Sequence, residues 1–331
     1  METSTETMTN DGVHSLRREV IDGLRARPRR IECKLFYDLE GSRLFEAICD
    51  QPEYYLTRCE IEILEQQGPM IAAALGPRIT LVELGSGSGT KTRRLLDALE
   101  EPAAYVPIDI SGEFLQESAA ILRRVYPGLP ITPVVADFTA GMPVIADLGV
   151  PAERVVTFFS GSSIGNFAPA EASALMGEAA ALGGPDGRLL IAVDLRKDRR
   201  ILEAAYDDAA GVTAAFNLNV MRRLNRDIGA DFDLDNFRHR AVWNPLSSRI
   251  EMQLVSLRRQ QVRVGEVVFE FETDEVIVSE HCYKHTIDGF AELGRRAGLV
   301  RDRYWVDSAD RYSLHLFSRL GGHTAVSRSL S

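Results

Sequence analysis

Three glycines stand at alternate positions in the stretch Leu81 to Thr92, which reads LVELGSGSGTKT. Gly85 and the two glycines that follow it let the backbone turn sharply and approach a ligand without interference from a Cβ atom. The spacing G-x-G-x-G departs from the dinucleotide fingerprint, and Thr90 stands directly before Lys91, where a phosphate-binding loop requires glycine. The stretch therefore favours a nucleoside-binding turn over a pyrophosphate cradle.

Two acidic residues follow this turn, each at the end of a later apolar segment. Asp109, in YVPIDIS, lies roughly twenty residues beyond the first glycine, where a carboxylate can bind both ribose hydroxyls. Asp137 and Phe138, in VVADF, suit an adenine amino group and a stacked base. This ordered set favours S-adenosylmethionine over a nicotinamide dinucleotide. The alternative is that the glycines only form a tight turn and that the acids are surface or capping residues.

The segment Ser279 to Thr286, SEHCYKHT, contains one of the four cysteines and two of the six histidines. A metal site here would use His281 and His285, or Cys282 with a histidine, and would need further ligands. The other cysteines lie far away without ligand spacing, so we predict no metal. A Cys–His nucleophile is as weakly supported, because nothing implies a covalent intermediate. A polar patch that holds a small molecule is the third interpretation, and the one we favour.

The elements that must position these residues alternate along the middle of the chain. Apolar runs such as ITLVELG, AAYVPIDIS and GRLLIAVDL are separated by helical stretches, which predicts a parallel sheet covered by helices. The region from His14 to about Gly76 has helical periodicity. Beyond Arg199 a helical stretch precedes alternating residues, which predict a long β-hairpin that turns at Gly265 and Glu266.

The bulk composition excludes several classes of protein. The chain has 331 residues, 45% of them hydrophobic, and a formal net charge of −10, which argues against a nucleic-acid partner. The longest apolar runs, such as Leu189 to Val193, are too short to span a bilayer, and the N-terminus has no signal pattern. Four scattered cysteines without a C-x-x-C pair indicate free thiols. We expect a cytoplasmic protein.

Several longer blocks resemble one known family. YDLEGSRLFEAI, GSSIGNF, AYDDAAGVTAAFN, RIEM and EHCYK, together with the glycine turn, closely resemble the histidine-specific methyltransferases, over about residues 34–320. Known members trimethylate the α-amino group of L-histidine to hercynine in ergothioneine biosynthesis. The resemblance implies an α/β fold, with a Rossmann-like domain for S-adenosylmethionine and a smaller α+β substrate-binding domain. It also implies a monomer that methylates a free amino acid.

Under this resemblance the chain divides into successive parts. We predict a disordered N-terminus at 1–13, a helical segment of the substrate domain at 14–60, a Rossmann-type domain at 61–198, a substrate-binding domain at 199–286, a closing helix and strand at 287–320, and a flexible tail at 321–331.

The resemblance also assigns roles to individual residues. Those matching the cofactor site are Gly85, Lys91, Asp109, Asp137 and Phe138. Those matching the amino acid pocket are Tyr54, Gly161, Asn166, Tyr206, Met252, Glu280 and Cys282, and Tyr37 matches a residue close to the methylated nitrogen. Asn166 and Tyr206 correspond to residues that hold the α-carboxylate and amine, and Glu280 with residue 282 to those that contact the imidazole.

Local alternatives remain for some of these residues. Tyr37, Tyr54 and Phe45 could be core aromatics, Asn166 could cap the following helix, and Tyr206 could be a packing residue.

The family typically has serine where this chain has Cys282, and a thiol is a much weaker hydrogen-bonding group. This departure leaves the amino acid in question, and methylation of a side-chain nitrogen such as that of arginine, whose guanidinium would pair with Glu280, is the alternative. A nicotinamide-dependent oxidoreductase is disfavoured by the glycine spacing. A non-catalytic nucleoside-binding protein is disfavoured because the pocket residues are retained.

Overall fold

A computed structural model describes residues 10–321 of the chain. Helices in this range are α1 Asn10–Arg25, α2 Leu39–Cys49, α3 Tyr55–Leu75, α4 Thr90–Ala98, α5 Gly112–Val125, α6 Pro169–Ala181, α7 Arg199–Ala205, α8 Val212–Ile228 and α9 Ile287–Arg296. Strands are β1 Arg29–Arg30, β2 Thr80–Leu84, β3 Ala104–Asp109, β4 Val134–Val135, β5 Val155–Phe159, β6 Arg188–Asp194, β7 Phe237–Asn244, β8 Arg249–Ser256, β9 Gln260–Val264, β10 Val267–Phe271, β11 Val276–Tyr283, β12 Leu299–Val306 and β13 Tyr312–Arg319.

The chain divides into two units by its internal contacts. The first comprises Met1–Tyr54 and Asp198–His281, and the second Tyr55–Lys197 and Cys282–Ser331. From the sequence we predicted domain boundaries after residues 60, 198 and 286. The first boundary lies earlier because α3 packs against α4 and β13 and therefore belongs wholly to the second unit.

Helix α1 lies near the N-terminus and includes residues that we expected to be disordered. Helix α1 begins at Asn10, so residues 10–13 are helical where we expected disorder. Leu16, Val20 and Leu24 are buried along one face of this helix, and tertiary packing of such a face is the main source of helical stability. Nearly all of the expected flexible tail, 322–331, lies outside the described residues.

The second unit contains a seven-stranded sheet in the order β12-β13-β6-β5-β2-β3-β4. Strands β6, β5, β2, β3 and β4 run parallel, and β13 pairs antiparallel with both β6 and β12. Strands β2 and β5 are buried along their whole lengths, which explains why most of their residues are apolar. The predicted α/β, Rossmann-like class is confirmed. The chain order reverses between β2 and β5, and ligands of such sheets bind at the carboxyl ends beside that point.

The first unit contains a four-stranded sheet in the order β1-β11-β8-β7, together with the hairpin β9–β10. The prediction of a long hairpin was wrong for its first half, because β8 is not part of it. Only Gln260–Phe271 forms it, with Val264 opposite Val267 at the turn, whereas β8 pairs with β7. Alternation shows which side chains share a face, but it does not specify the partner strand.

No helix within residues 10–321 has both the length and the apolar character needed to cross a membrane.

Candidate functional site

The glycine turn follows β2 at the carboxyl edge of the parallel strands. Gly85, Gly87 and Gly89 all have positive φ angles, of 69°, 53° and 74°, a conformation that costs glycine little. Gly89 is the residue before α4, so the turn leads directly into the helix that carries Lys91. The hydroxyl of Ser118 donates to the Gly87 carbonyl at 2.9 Å and holds the turn against α5.

Asp109 lies beside this turn at the end of β3. One carboxylate oxygen accepts from the Gly87 amide at 3.2 Å and the other from the Ser111 amide at 2.9 Å. Burial raises the pKa of Asp109, and the two amide hydrogen bonds oppose that rise. Each oxygen still has acceptor capacity, so the carboxylate can bind hydroxyl donors while it holds the turn.

Asp137 and Phe138 come shortly after β4, at the same edge of the sheet. The Asp137 carboxylate accepts from the Thr139 amide at 2.9 Å. The half-buried ring of Phe138 packs edge-on against Phe159, with centroids 5.5 Å apart and an interplanar angle of 78°. The structure thus places the predicted cofactor residues at the ends of neighbouring strands.

Lys91 and Gly161 meet at a single carboxylate, that of Glu60 on α3. Glu60 Oε2 accepts from the Gly161 amide at 2.9 Å and lies 3.2 Å from Lys91 Nζ. Gly161 has a φ of 73°, and a Cβ at this position would lie 3.0 Å from the Lys91 nitrogen. A predicted cofactor residue and a predicted substrate residue are therefore in direct proximity.

The short turn that ends at Asn166 approaches Cys282 through Gly165, within the second unit. Asn166 ends a short 3₁₀ turn, Ser163–Asn166, and α6 begins three residues later at Pro169, with Ala168 as its N-cap residue. Asn166 is therefore not the cap of this helix. A Cβ on Gly165 would lie 2.9 Å from the Tyr283 carbonyl and 3.3 Å from the Cys282 sulfur, so only glycine allows the turn to approach this closely.

The buried Cys282 sulfur is next to a charged cluster around Asp194. Lys284 Nζ lies 3.2 Å from this sulfur and 2.7 Å from the Asp194 carboxylate, which also accepts from Tyr55 and pairs with Lys197. Burial disfavours the charged form of Asp194, but the two ammonium groups prevail and lower its pKa. Burial, and then the charge of Asp194, raises the pKa of Tyr55, so its hydroxyl remains a donor.

Three predicted tyrosines of the first unit form one aromatic cluster. The Tyr54 ring contacts Tyr206 and Phe45, with centroid separations of 6.2 Å in both cases, and the Tyr37 ring contacts Phe45 at 5.8 Å. All three contacts are edge-to-face, the arrangement that aromatic quadrupoles favour. Tyr54 and Tyr206 are buried, and Tyr37 is half-buried.

The backbone of Tyr206 is held by a buried histidine. His239 Nε2 lies 2.8 Å from the Tyr206 carbonyl, and His239 Nδ1 lies 2.8 Å from the Asn217 side-chain nitrogen. A carbonyl can only accept, so Nε2 carries the proton and Nδ1 accepts from Asn217. Burial lowers the pKa of His239, which favours this neutral form.

Met252 and Glu280 lie on the neighbouring strands β8 and β11. The Ser279 hydroxyl donates to the Met252 carbonyl at 3.1 Å, which ties the two strands together. Met252 and Glu280 are both buried. Glu251 and Gln253, on the other face of β8, form a separate polar group with Arg249 and Arg240.

Sequence reasoning missed Glu60, Asp194, Lys284 and His239. A signal for Glu60 was present, because it shares a helical face with Leu56, Ile63 and Leu64, where an acid interrupts an otherwise apolar stripe.

Within the part of the chain that the structure describes, no group of three or more His, Cys, Asp or Glu side chains is arranged to hold a metal.

Comparison with known proteins gives a match over nearly the whole chain. The sequence model of the SAM-dependent, histidine-specific methyltransferases matches residues 16–319. The chain is 40% identical over 316 residues to the histidine N-alpha-methyltransferase of Mycolicibacterium smegmatis, covering 94% of this chain and 97% of that protein. It is 40% identical over 310 residues to that of Mycobacterium tuberculosis, covering 92% and 95%. It is 28% identical over 313 residues to the N-methyltransferase fsqC of Aspergillus fumigatus, covering 90% and 82%.

Proposed function

The chain belongs to the histidine-specific, S-adenosylmethionine-dependent methyltransferases, and we propose that it methylates the α-amino nitrogen of L-histidine to give hercynine. The observation that carries this proposal is the 40% identity, over 94% of the chain, to a histidine N-alpha-methyltransferase. We further propose that the enzyme acts as a monomer, which light scattering of the purified protein would test.

We propose that the cofactor is bound by Gly85, Lys91, Asp109, Asp137 and Phe138. The glycine turn fits a closely approaching ligand, because a Cβ at Gly85 would meet no heavy atom of the protein within 4 Å. Asp109 lies beside the turn with acceptor capacity for ribose hydroxyls. The partly buried ring of Phe138 at the end of β4 suits an adenine face.

We propose a division of roles among the substrate residues. Asn166 and Tyr206 bind the α-carboxylate and amine, and Glu280 and Cys282 bind the imidazole. Tyr54, Gly161 and Met252 contact the rest of the amino acid. Glu280 and Cys282 are two residues apart on β11, so their side chains are on the same face of that strand.

The chemistry requires alignment and a free lone pair on nitrogen. S-adenosylmethionine supplies a methyl group already activated on a sulfonium. Holding the amine in line with that methyl group can contribute about 7–11 kcal/mol. Neutral groups such as Asn166 and Tyr206 hold the amine without stabilising its unreactive ammonium form. The half-buried hydroxyl of Tyr37, directly or through water, accepts the proton that the amine must lose.

A second candidate, methylation of a side-chain nitrogen of another amino acid such as arginine, follows from Cys282. Its sulfur already accepts from Lys284 and replaces a stronger hydrogen-bonding hydroxyl, so the contact to imidazole is weakened.

A panel of the twenty amino acids, incubated with the enzyme and S-adenosylmethionine and analysed by mass spectrometry, distinguishes the candidates. A methylated product from histidine supports the main proposal. A product from arginine alone supports the second candidate, and no product from any amino acid contradicts both.

A further inference from the structure

Glu60 is a fully buried carboxylate that makes all its observed contacts through one oxygen. Oε2 accepts from the Gly161 amide at 2.9 Å and from the Tyr312 hydroxyl at 3.0 Å, and it lies 3.2 Å from Lys91 Nζ. Oε1 is buried and makes no hydrogen bond to the described residues. This single atom therefore contacts three separate segments of the second unit, which are the loop after β5, strand β13 and helix α4.

Two of those segments frame the point where the chain order of the sheet reverses. Lys91 is on α4 directly after the glycine turn of β2, and Gly161 is in the loop after β5, the strand paired with β2. Ligands of such sheets bind at these carboxyl ends. Glu60 is on α3, outside both of these segments, and its carboxylate contacts Lys91 in one and Gly161 in the other.

We propose that Glu60 is a positioning residue of the methyltransferase site, which sets the Lys91 ammonium and the Gly161 amide relative to each other. The inference rests on the proposed function, because Lys91 is assigned there to the cofactor and Gly161 to the amino acid. Glu60 itself contacts neither ligand and acts through these two residues.

The charges at this point explain why an acid is required. The Lys91 side chain is 19% exposed and packs across Gly161, so its ammonium is partly desolvated and needs a counterion. Glu60 supplies one negative charge, and the pair is neutral.

The experiment compares Glu60→Gln with Glu62→Gln in the full-length protein. Glu62 is on the same helix and binds the Ser308 amide instead, so it is a matched control for the same chemical change. Binding of S-adenosylhomocysteine is measured by calorimetry, and kcat and KM for histidine are measured by product mass. We expect Glu60→Gln to weaken S-adenosylhomocysteine binding and to lower kcat/KM by at least tenfold. Glu62→Gln should remain within twofold.

A double-mutant cycle with Lys91→Met tests whether the two residues act together. If Glu60 acts by holding Lys91, the double variant binds S-adenosylhomocysteine no more weakly than the worse single variant. Multiplied losses, or binding by Glu60→Gln within twofold of the parent, would overturn the inference. Should Glu60→Gln fail to fold, Glu60→Asp keeps the charge but withdraws it by one methylene. It should still lose at least fivefold in binding, and unchanged binding contradicts positioning.

Failure of the inference and failure of the proposed function are distinguishable. A parent enzyme that methylates no amino acid contradicts the proposed function. A parent that methylates histidine while Glu60→Gln does so equally well contradicts only the role of Glu60.

Discussion

The Lys284 ammonium donates to the sulfur of Cys282 at 3.2 Å. Lys284 itself is fully buried and is ion-paired to Asp194. The side chain of Cys282, where the family resemblance predicts serine, is therefore held by a charge inside the protein.

Replacing Cys282 with serine should increase turnover of histidine. A hydroxyl is a stronger donor and acceptor than a thiol, and a recovered hydrogen bond contributes about 0.5–1.5 kcal/mol, or about 2–13-fold in kcat/KM. Steady-state kinetics with histidine measure the effect. Cys59→Ser, at a buried thiol that contacts Asp307, is the control and should leave kcat/KM unchanged. Equal kinetics for Cys282→Ser and the parent would show that this residue does not limit recognition.

Removing the Lys284 charge should strongly destabilise the protein. In Lys284→Met the buried Asp194 keeps its contacts with Lys197 and the Tyr55 hydroxyl but loses the Lys284 ion pair, and breaking a buried pair typically costs about 3–5 kcal/mol. Urea denaturation gives the free energy of unfolding. Arg295→Met, which breaks an exposed pair with Glu292, is the control and should produce no resolvable change. A loss in Lys284→Met no larger than in the control would mean that Asp194 does not depend on this ion pair.

Glu83 should make stability depend on pH near neutrality. Burial raises its pKa to about 7 from 4.5, although Thr92 and Tyr105 donate hydrogen bonds to its carboxylate. Because the folded pKa is the higher one, this contribution is fully present below pH 4.5. It is lost as pH rises to about 7, at a cost on the order of 3 kcal/mol.

The measurement for Glu83 is a comparison with Glu83→Gln. Burial lowers the pKa values of His285 and His315 to about 4 and about 3, so these residues destabilise the fold as pH falls below 6.5. Their contribution is common to both proteins and cancels in the difference. The free energy of unfolding of Glu83→Gln, relative to the parent, should rise between pH 4.5 and 7. A constant difference contradicts a raised pKa at Glu83.

His239→Phe should weaken amino acid binding through Tyr206. The variant removes the donor to the Tyr206 carbonyl and the acceptor for Asn217, so Tyr206 is less firmly placed. We expect KM for histidine to rise about 5–10-fold, in line with the loss of a hydrogen bond, while S-adenosylhomocysteine affinity is kept. His239→Gln, which restores a donor, should recover part of the loss, and the exposed His14→Gln should change nothing. Equal losses in both ligands would indicate general unfolding instead.

The positions predicted from the sequence rest on local chemistry. Gly85 and the two glycines after it stand where φ is positive, a conformation that glycine alone adopts readily, and the acids Asp109 and Asp137 follow at strand ends. The parallel sheet followed from apolar runs that alternate with helices, because strands buried on both faces need continuous apolar sequence. These features depend on neighbours in the chain, so the sequence alone determined them.

Only the tertiary structure decided which distant side chains meet. Glu60 contacts Gly161 across 101 residues, and Lys284, directly after β11, pairs with Asp194. The pairing of β8 with β7 instead of β9 is a choice of the same kind. Periodicity shows that a position is buried, but it does not show which partner a buried charge pairs with. The partner is the opposite charge that the packing of the chain brings within a few ångströms. That separation is set by the fold as a whole.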